Sequence, residues 1–235
     1  MRLDKYITEK YKIQSRNKAS ELIKAKKVLV DGKIISKPSF IINDNEEVTI
    51  NEDDFYVSRS AYKLKYFLEE NNIIVTDKTA IDIGSSTGGF TQILLNNNIK
   101  SVTCVDVGTN QLHDSIKNDS KIIKVENTDI RNFDNNTTYD LITCDVSFIS
   151  ILNILNDINR LAHDKIIILY KPQFEVGKDV KRDKNGVVLD NKAIKIEREK
   201  FLEETTKLQW KLLFCDESKL AGKNGNIEEL FYFEK

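Results

Sequence analysis

At 235 residues the chain exceeds the roughly 150 of a typical domain, so one full domain with a small appendage is expected. Its 40% hydrophobic and 31% charged residues, with 9 Gly and 2 Pro, exclude collagenous, low-complexity and disordered classes. The net charge is only -1, but residues 1–40 hold 11 Lys/Arg against 4 Asp/Glu, a local +7, which marks a polyanion-binding module on a mildly acidic body.

Cys104, Cys144 and Cys215 are odd in number, far apart and beside apolar stretches, so they read as reduced thiols, not disulfides or a zinc site. His113 and His163 are isolated and read as solvated side chains, and no metal site is expected. The start Met1-Arg2-Leu3-Asp4-Lys5 has no apolar signal core, and no apolar run approaches the ~18 residues of a spanning helix. A cytoplasmic protein without membrane contact is expected.

In chain order, Ser15 is placed to cap a helix in which Ala19, Leu22 and Ile23 share a face. Val28-Leu29-Val30, Asp31-Gly32 and Lys33-Ile34-Ile35 predict a hairpin, because Asp-Gly tolerates the positive φ angles of a type I′ turn. Val48-Thr49-Ile50 can close a small sheet. The polar, aperiodic stretch Asn51-Glu52-Asp53-Asp54 falls where the charge balance changes and opens a linker placed at 51–59.

This first module, with its Arg-Leu-Asp start, Ser-Arg helix start and V-L-V-D-G-K hairpin, resembles the S4 RNA-binding domain. The resemblance implies basic helix residues that meet phosphates and read RNA by shape. Arg2, Arg16, Lys18 and Lys24 are the candidate contacts. Lys26 stands where the family usually has Gly, so it needs a left-handed conformation or a different cap.

Beyond the linker, helical and strand patterns alternate. Helices are predicted over Ser60–Glu70 and Gly88–Asn97, and strands over Thr79–Ile83, Val102–Val107, Lys121–Val125, Tyr139–Cys144, Lys165–Tyr170, Lys211–Cys215 and Leu230–Phe233. This alternation predicts a parallel sheet covered on both faces, with ligands beyond the carboxyl ends of the strands. The first strand runs into Asp82-Ile83-Gly84-Ser85-Ser86-Thr87-Gly88-Gly89-Phe90, a glycine turn that lets backbone approach a ligand closely. Such a turn alone does not separate one nucleotide binder from another. Asp106 ends the second strand, where a carboxylate can accept from ribose hydroxyls, and Asp129 after the third suits an adenine amino group. Acids at successive strand ends favour a neutral or cationic nucleoside over a pyrophosphate, and no G-x-x-x-x-G-K-[ST] is present.

The glycine turn, Cys144-Asp145-Val146-Ser147-Phe148-Ile149-Ser150, Lys171-Pro172-Gln173-Phe174-Glu175-Val176-Gly177-Lys178 and Gly225-Asn226-Ile227-Glu228 occur in this order behind the S4-like module. Together they resemble the TlyA family, known as haemolysins or as ribosomal RNA cytidine 2′-O-methyltransferases. The resemblance implies a Rossmann-like α/β methyltransferase domain (60–235) behind a small α+β S4 domain (1–50), with S-adenosylmethionine as cofactor. It further implies an FtsJ-type Lys-Asp-Lys-Glu tetrad, which falls on Lys63, Asp145, Lys171 and Glu228. The cofactor residues expected are Asp82, Gly84, Ser86, Thr87, Gly88, Gly89, Phe90, Asp106 and Asp129.

The chemistry suits the quartet. A ribose hydroxyl is a poor nucleophile near neutral pH, so a base must take its proton during in-line attack on the methyl group. Lysine serves only if burial or a like charge lowers its pKa. Lys171 is read as that base, Lys63 as the neighbouring charge, and Asp145 and Glu228 as orienting carboxylates. Residues 174–188 are long for a connection and read as a functional or mobile substrate loop, while Arg59, Lys117 and Lys121 can extend a basic track. The expected partner is ribosomal RNA or a ribosomal subunit, not DNA, met by a monomer. Shorter members of the family are associated with large-subunit RNA alone, and the chain ends at Lys235 after its last strand, so one 23S cytidine is expected. A membrane-active haemolysin and a catalytically silent assembly factor are the competing readings.

Overall fold

The computed structural model describes residues 1–11, 13, 15–43, 45–50, 56–134 and 136–235, so the first half of the expected linker, 51–55, lies outside the described residues. The chain divides into two compact units, Met1–Val57 and Ser58–Lys235.

The first unit comprises α1 (Leu3–Lys10), α2 (Arg16–Lys24), β1 (Val28–Val30), β2 (Lys33–Ile35) and β3 (Val48–Ile50). The three strands form an antiparallel sheet in the order β2-β1-β3. Apolar residues at helical and alternating spacing, among them Leu3, Ile7, Leu22, Ile23, Val28 and Val48, make its core. Ser15 Oγ accepts from the Lys18 amide at 3.2 Å, the expected cap. Asp31 and Gly32 take φ of 47° and 74°, which gives the twisted turn that the β1–β2 hairpin needs.

Lys26 adopts the left-handed alternative, with φ 62°. Its amide donates to Ile23 O and that of Lys27 to Leu22 O, which closes the end of α2 without glycine. A side chain in that region is strained. Lys26→Gly is therefore expected to stabilise the chain by about 0.5–1 kcal/mol, read as a raised urea midpoint with an unchanged m-value.

The second unit comprises α3 (Arg59–Glu70), β4 (Thr79–Ile83), α4 (Gly89–Asn96), β5 (Ser101–Val105), β6 (Ile122–Val125), β7 (Tyr139–Cys144), α5 (Leu155–Leu161), β8 (Ala162–Tyr170), α6 (Pro172–Glu175), α7 (Asn191–Lys207), β9 (Lys211–Glu217) and β10 (Glu229–Glu234). Its seven strands lie in the order β6-β5-β4-β7-β8-β10-β9. Alternate residues Ile81, Ile83, Ile142, Ile166, Ile168, Phe231 and Phe233 face Ile158 and Leu161 of α5 and Phe201 of α7. Asp82 points to the opposite face, where Thr91 of α4 meets it, and α3 packs on α4.

The expected all-parallel sheet is corrected at one strand. β4 to β8 are parallel, but β10 runs antiparallel to both β8 and β9. The reason lies in the connection 218–228, which contains no helix, and consecutive strands without a crossover helix pair antiparallel. This reversal brings the start of β10, not its end, to the carboxyl ends of the other strands, with Glu229 paired opposite Tyr170.

Candidate active site

The carboxyl end of β4 leads into the glycine turn. Gly84 has φ 76°, and a Cβ on it would stand 3.1 Å from the Asp145 carbonyl, so the turn lies directly against the end of β7. At Gly89 an added carbon would collide with the hydroxyls of Ser58 and Ser60, and at Gly88 with the Ile116 side chain. At both positions the missing side chain lets these neighbours close on the turn. Asp106, just past β5, accepts from the amides of Ser86 at 2.8 Å and Gly108 at 2.7 Å, which fixes its carboxylate beside the turn. A cleft of about 190 Å³ opens there, lined by Ser58, Ser60, Gly84, Ser86, Thr87, Phe90, Asp145, Ser147 and Lys171.

Asp82 forms part of the cleft wall but is fully buried, and its two oxygens accept from Thr91 Oγ1 at 2.6 Å and Thr143 Oγ1 at 2.8 Å. Burial pushes its carboxyl up to about 6 against the opposing effect of both hydroxyls, with the Asp145 charge adding to the rise. Asp129 is paired with Arg131. Arg131 holds both its oxygens, at 2.9 Å from Nε and 2.6 Å from the terminal nitrogen, and this keeps the carboxyl below its ordinary range.

The four tetrad positions resolve into two ion pairs. Lys63, on α3, reaches Glu228 Oε2, and the other oxygen of Glu228 accepts from Gln173 Nε2 at 2.7 Å. Lys171, after β8, stands 2.5 Å from Asp145 Oδ1 and donates to Ser147 Oγ at 2.9 Å. Lys63, Lys171 and Glu228 are 7%, 8% and 3% exposed, so both pairs are withdrawn from water. Burial raises the Asp145 carboxyl, opposed first by Lys171 and then by Lys63, while Glu228 adds to the rise. The two pairs therefore lie within electrostatic reach of each other. Glu228 arrives only because β10 is reversed, and Gly222 makes room, since a Cβ there would overlap Glu228 Oε1.

The basic residues are not all brought together. Arg2 and Arg16 share Asp4, Lys18 pairs with Glu21 at 3.5 Å, and Lys24 is exposed. Arg59 is exposed at the start of α3, and Lys117 pairs with Asp114 at 2.5 Å in the segment whose Ile116 covers Gly88. Lys121 precedes β6 at the amino end of the parallel strands, away from the carboxyl ends that carry Asp106, Asp145 and Lys171. The long loop is pinned, not free. Arg182 donates to Gln173 O at 3.0 Å and Gly177 O at 2.8 Å, Asp183 holds the amides of Asn185 and Val187, and buried Asn226 accepts from Val188 N.

Several residues at the cleft or the tetrad were not singled out from the sequence: Ser58, Ser60, Ser147, Gln173 and Phe148. Phe148 is 91% exposed, holds a left-handed backbone at φ 66°, and meets the Phe174 ring at a 51° tilt with centroids 5.1 Å apart. An exposed bulky residue with positive φ is an outlier of the kind that clusters at functional sites. A larger groove of about 560 Å³, bordered by Ser150, Glu175, Glu197 and Lys200, includes no tetrad residue.

Comparison with known proteins places both units. Residues 56–235 match the FtsJ-like methyltransferase family and residues 1–48 the S4 domain. The 23S rRNA (cytidine-2'-O)-methyltransferase TlyA of Campylobacter jejuni is 46% identical over 100% of both chains. The 16S/23S rRNA (cytidine-2'-O)-methyltransferase TlyA of Mycobacterium tuberculosis is 35% identical, over 97% of this chain and 87% of its own. A solved Streptococcus thermophilus structure described as a hemolysin superposes with a TM-score of 0.71 and 31% identity, covering 100% of this chain and 88% of that one. No helix among the described residues is long and apolar enough to cross a membrane. An S4 domain followed by an FtsJ-like methyltransferase domain, with the Campylobacter jejuni relative matched over the full length of both chains, makes this chain a member of the TlyA family.

Proposed function

We propose that the chain methylates the ribose 2′-hydroxyl of a cytidine in 23S ribosomal RNA, with S-adenosylmethionine as donor, acting as a cytoplasmic monomer on the ribosomal RNA or subunit. The observation that carries this reading is the pair of buried Lys-carboxylate contacts at one end of the sheet beside a glycine-walled cleft. The substrate follows the relatives' chemistry, and the 23S choice follows the more similar of the two TlyA proteins compared. Residues 1–50 serve as the RNA-binding module, 51–59 as linker and 60–235 as catalyst.

The cleft fits the cofactor. Gly84 lets the turn close on the end of β7 at the cleft, and Asp106 retains acceptor capacity beside the turn for ribose hydroxyls. When bound, S-adenosylmethionine supplies an electrophilic sulfonium methyl. Lys171 Nζ takes the ribose proton, held on line by Asp145 and Ser147. Glu228 balances Lys63, which leaves that ammonium to orient the hydroxyl. Asp106→Ala is expected to weaken cofactor binding by about tenfold or more in calorimetry, the loss of a charged hydrogen-bonding partner.

Phe148 offers a face on which the target base can stack, since it lies near Asp145 and buries little of itself. Base–aromatic stacking contributes about 1–3 kcal/mol. Phe148→Ala should therefore lower kcat/KM on RNA by about tenfold while thermal stability is unchanged or raised. The reading as a whole is tested by transfer of labelled methyl groups to isolated large and small ribosomal subunits. Label in the large subunit alone is expected, and label in the small subunit would overturn the 23S assignment.

A further inference from the structure

We infer that Asp4 is a positioning residue for RNA: its carboxylate sets the Arg2 and Arg16 guanidiniums as one phosphate-gripping fork and so raises RNA affinity despite its negative charge. This rests on the proposed reading of residues 1–50 as the RNA-binding module and adds how that module is built.

Arg2 precedes α1 and Arg16 opens α2, yet both meet the same side chain. Asp4 Oδ1 accepts from Arg2 Nε at 3.1 Å and from the Lys5 amide at 2.8 Å, while Oδ2 accepts from terminal nitrogens of Arg2 at 2.9 Å and Arg16 at 3.1 Å. Asp4 is 3% exposed, whereas the two arginine side chains are 48% and 55% exposed. The carboxylate is thus inside and the cations are half outside.

A guanidinium has five N–H donors in a rigid fork. Asp4 occupies two on Arg2 and one on Arg16, so most of both forks stays available. Phosphate recognition by arginine is bidentate and depends on orientation. Free arginines would lose rotamer freedom on binding RNA, a cost that Asp4 removes in advance. The plainer alternative is that the pairs only staple α1 to α2. The two accounts differ in the sign of one effect, because removing a negative charge from a basic module should tighten RNA binding if charge alone matters.

The test uses the full chain and purified large ribosomal subunits, with affinity measured across a salt series. Asp4→Asn is expected to weaken binding about tenfold, equivalent to about 1.4 kcal/mol, and to make the dependence of affinity on salt shallower. Unchanged or tighter binding overturns the inference. The paired variant Arg2→Lys with Arg16→Lys keeps both charges and the carboxylate but removes the forks. It decides the matter if Asp4→Asn fails to hold the amino-terminal fold in a thermal melt: tenfold weaker binding supports the inference, and wild-type affinity overturns it. Arg2→Ala with Arg16→Ala separates the two levels. If that variant binds RNA normally, the module reading fails; if it binds weakly while Asp4→Asn does not, only the inference fails.

Discussion

Lys171→Ala is expected to lower the rate of methyl transfer by about 10²–10⁴-fold, the usual contribution of a positioned base. Cofactor affinity should stay near that of the unaltered chain, because the carboxylate proposed to hold the cofactor, Asp106, is fixed by the amides of Ser86 and Gly108 and not by Lys171. The substitution also removes the nearest counter-charge from a buried carboxylate. Asp145 already has its carboxyl raised by burial, and Lys171 is the largest influence that holds it down. Breaking a buried pair commonly costs about 3–5 kcal/mol, so the folded fraction must be measured beside the rate. Lys171→Ala combined with Asp145→Asn leaves no orphaned charge and should recover stability without activity. Near-normal turnover in the single variant would move the base to Lys63.

Removal of residues 1–50 should leave cofactor binding intact, because Ser58–Lys235 is a compact unit by itself and the core cluster Ile81–Phe233 is built from its own residues. Transfer to ribosomal RNA should nevertheless fall on the order of a hundredfold at about 0.15 M salt, since the +7 segment releases counterions when it meets phosphates. The remaining activity should vary less steeply with salt than that of the full chain. Full activity from the truncated protein would make the first module a passenger.

How much of this was readable in the sequence depends on how local each determinant is. The Ser15 cap and the Asp31-Gly32 turn are set by residues within a few positions and stand as expected. The direction of β10 was not readable, because strand alternation says nothing of orientation until the connection 218–228 is known to lack a helix. That direction decides the site: a parallel β10 would leave Glu228 at the end of the sheet opposite Lys171. The sequence pattern predicted the helix over Ser60–Glu70 but not a buried lysine on it. Lys63 was singled out through the family resemblance, and its burial follows from the partner that β10 delivers. Asp129 shows the converse, for its partner Arg131 is only two residues away in the sequence. Phe148 looked like any apolar residue after a strand. Only its backbone conformation and exposure set it apart.

The central claim is tested most directly by the position of the transferred methyl group. Large subunits treated with the protein and labelled S-adenosylmethionine would be digested to nucleosides and mapped by mass spectrometry. The account predicts one methyl on the ribose 2′-oxygen of a single 23S cytidine, present with the unaltered chain and absent with Lys171→Ala. A methyl on a base, or transfer that persists without Lys171, would contradict it.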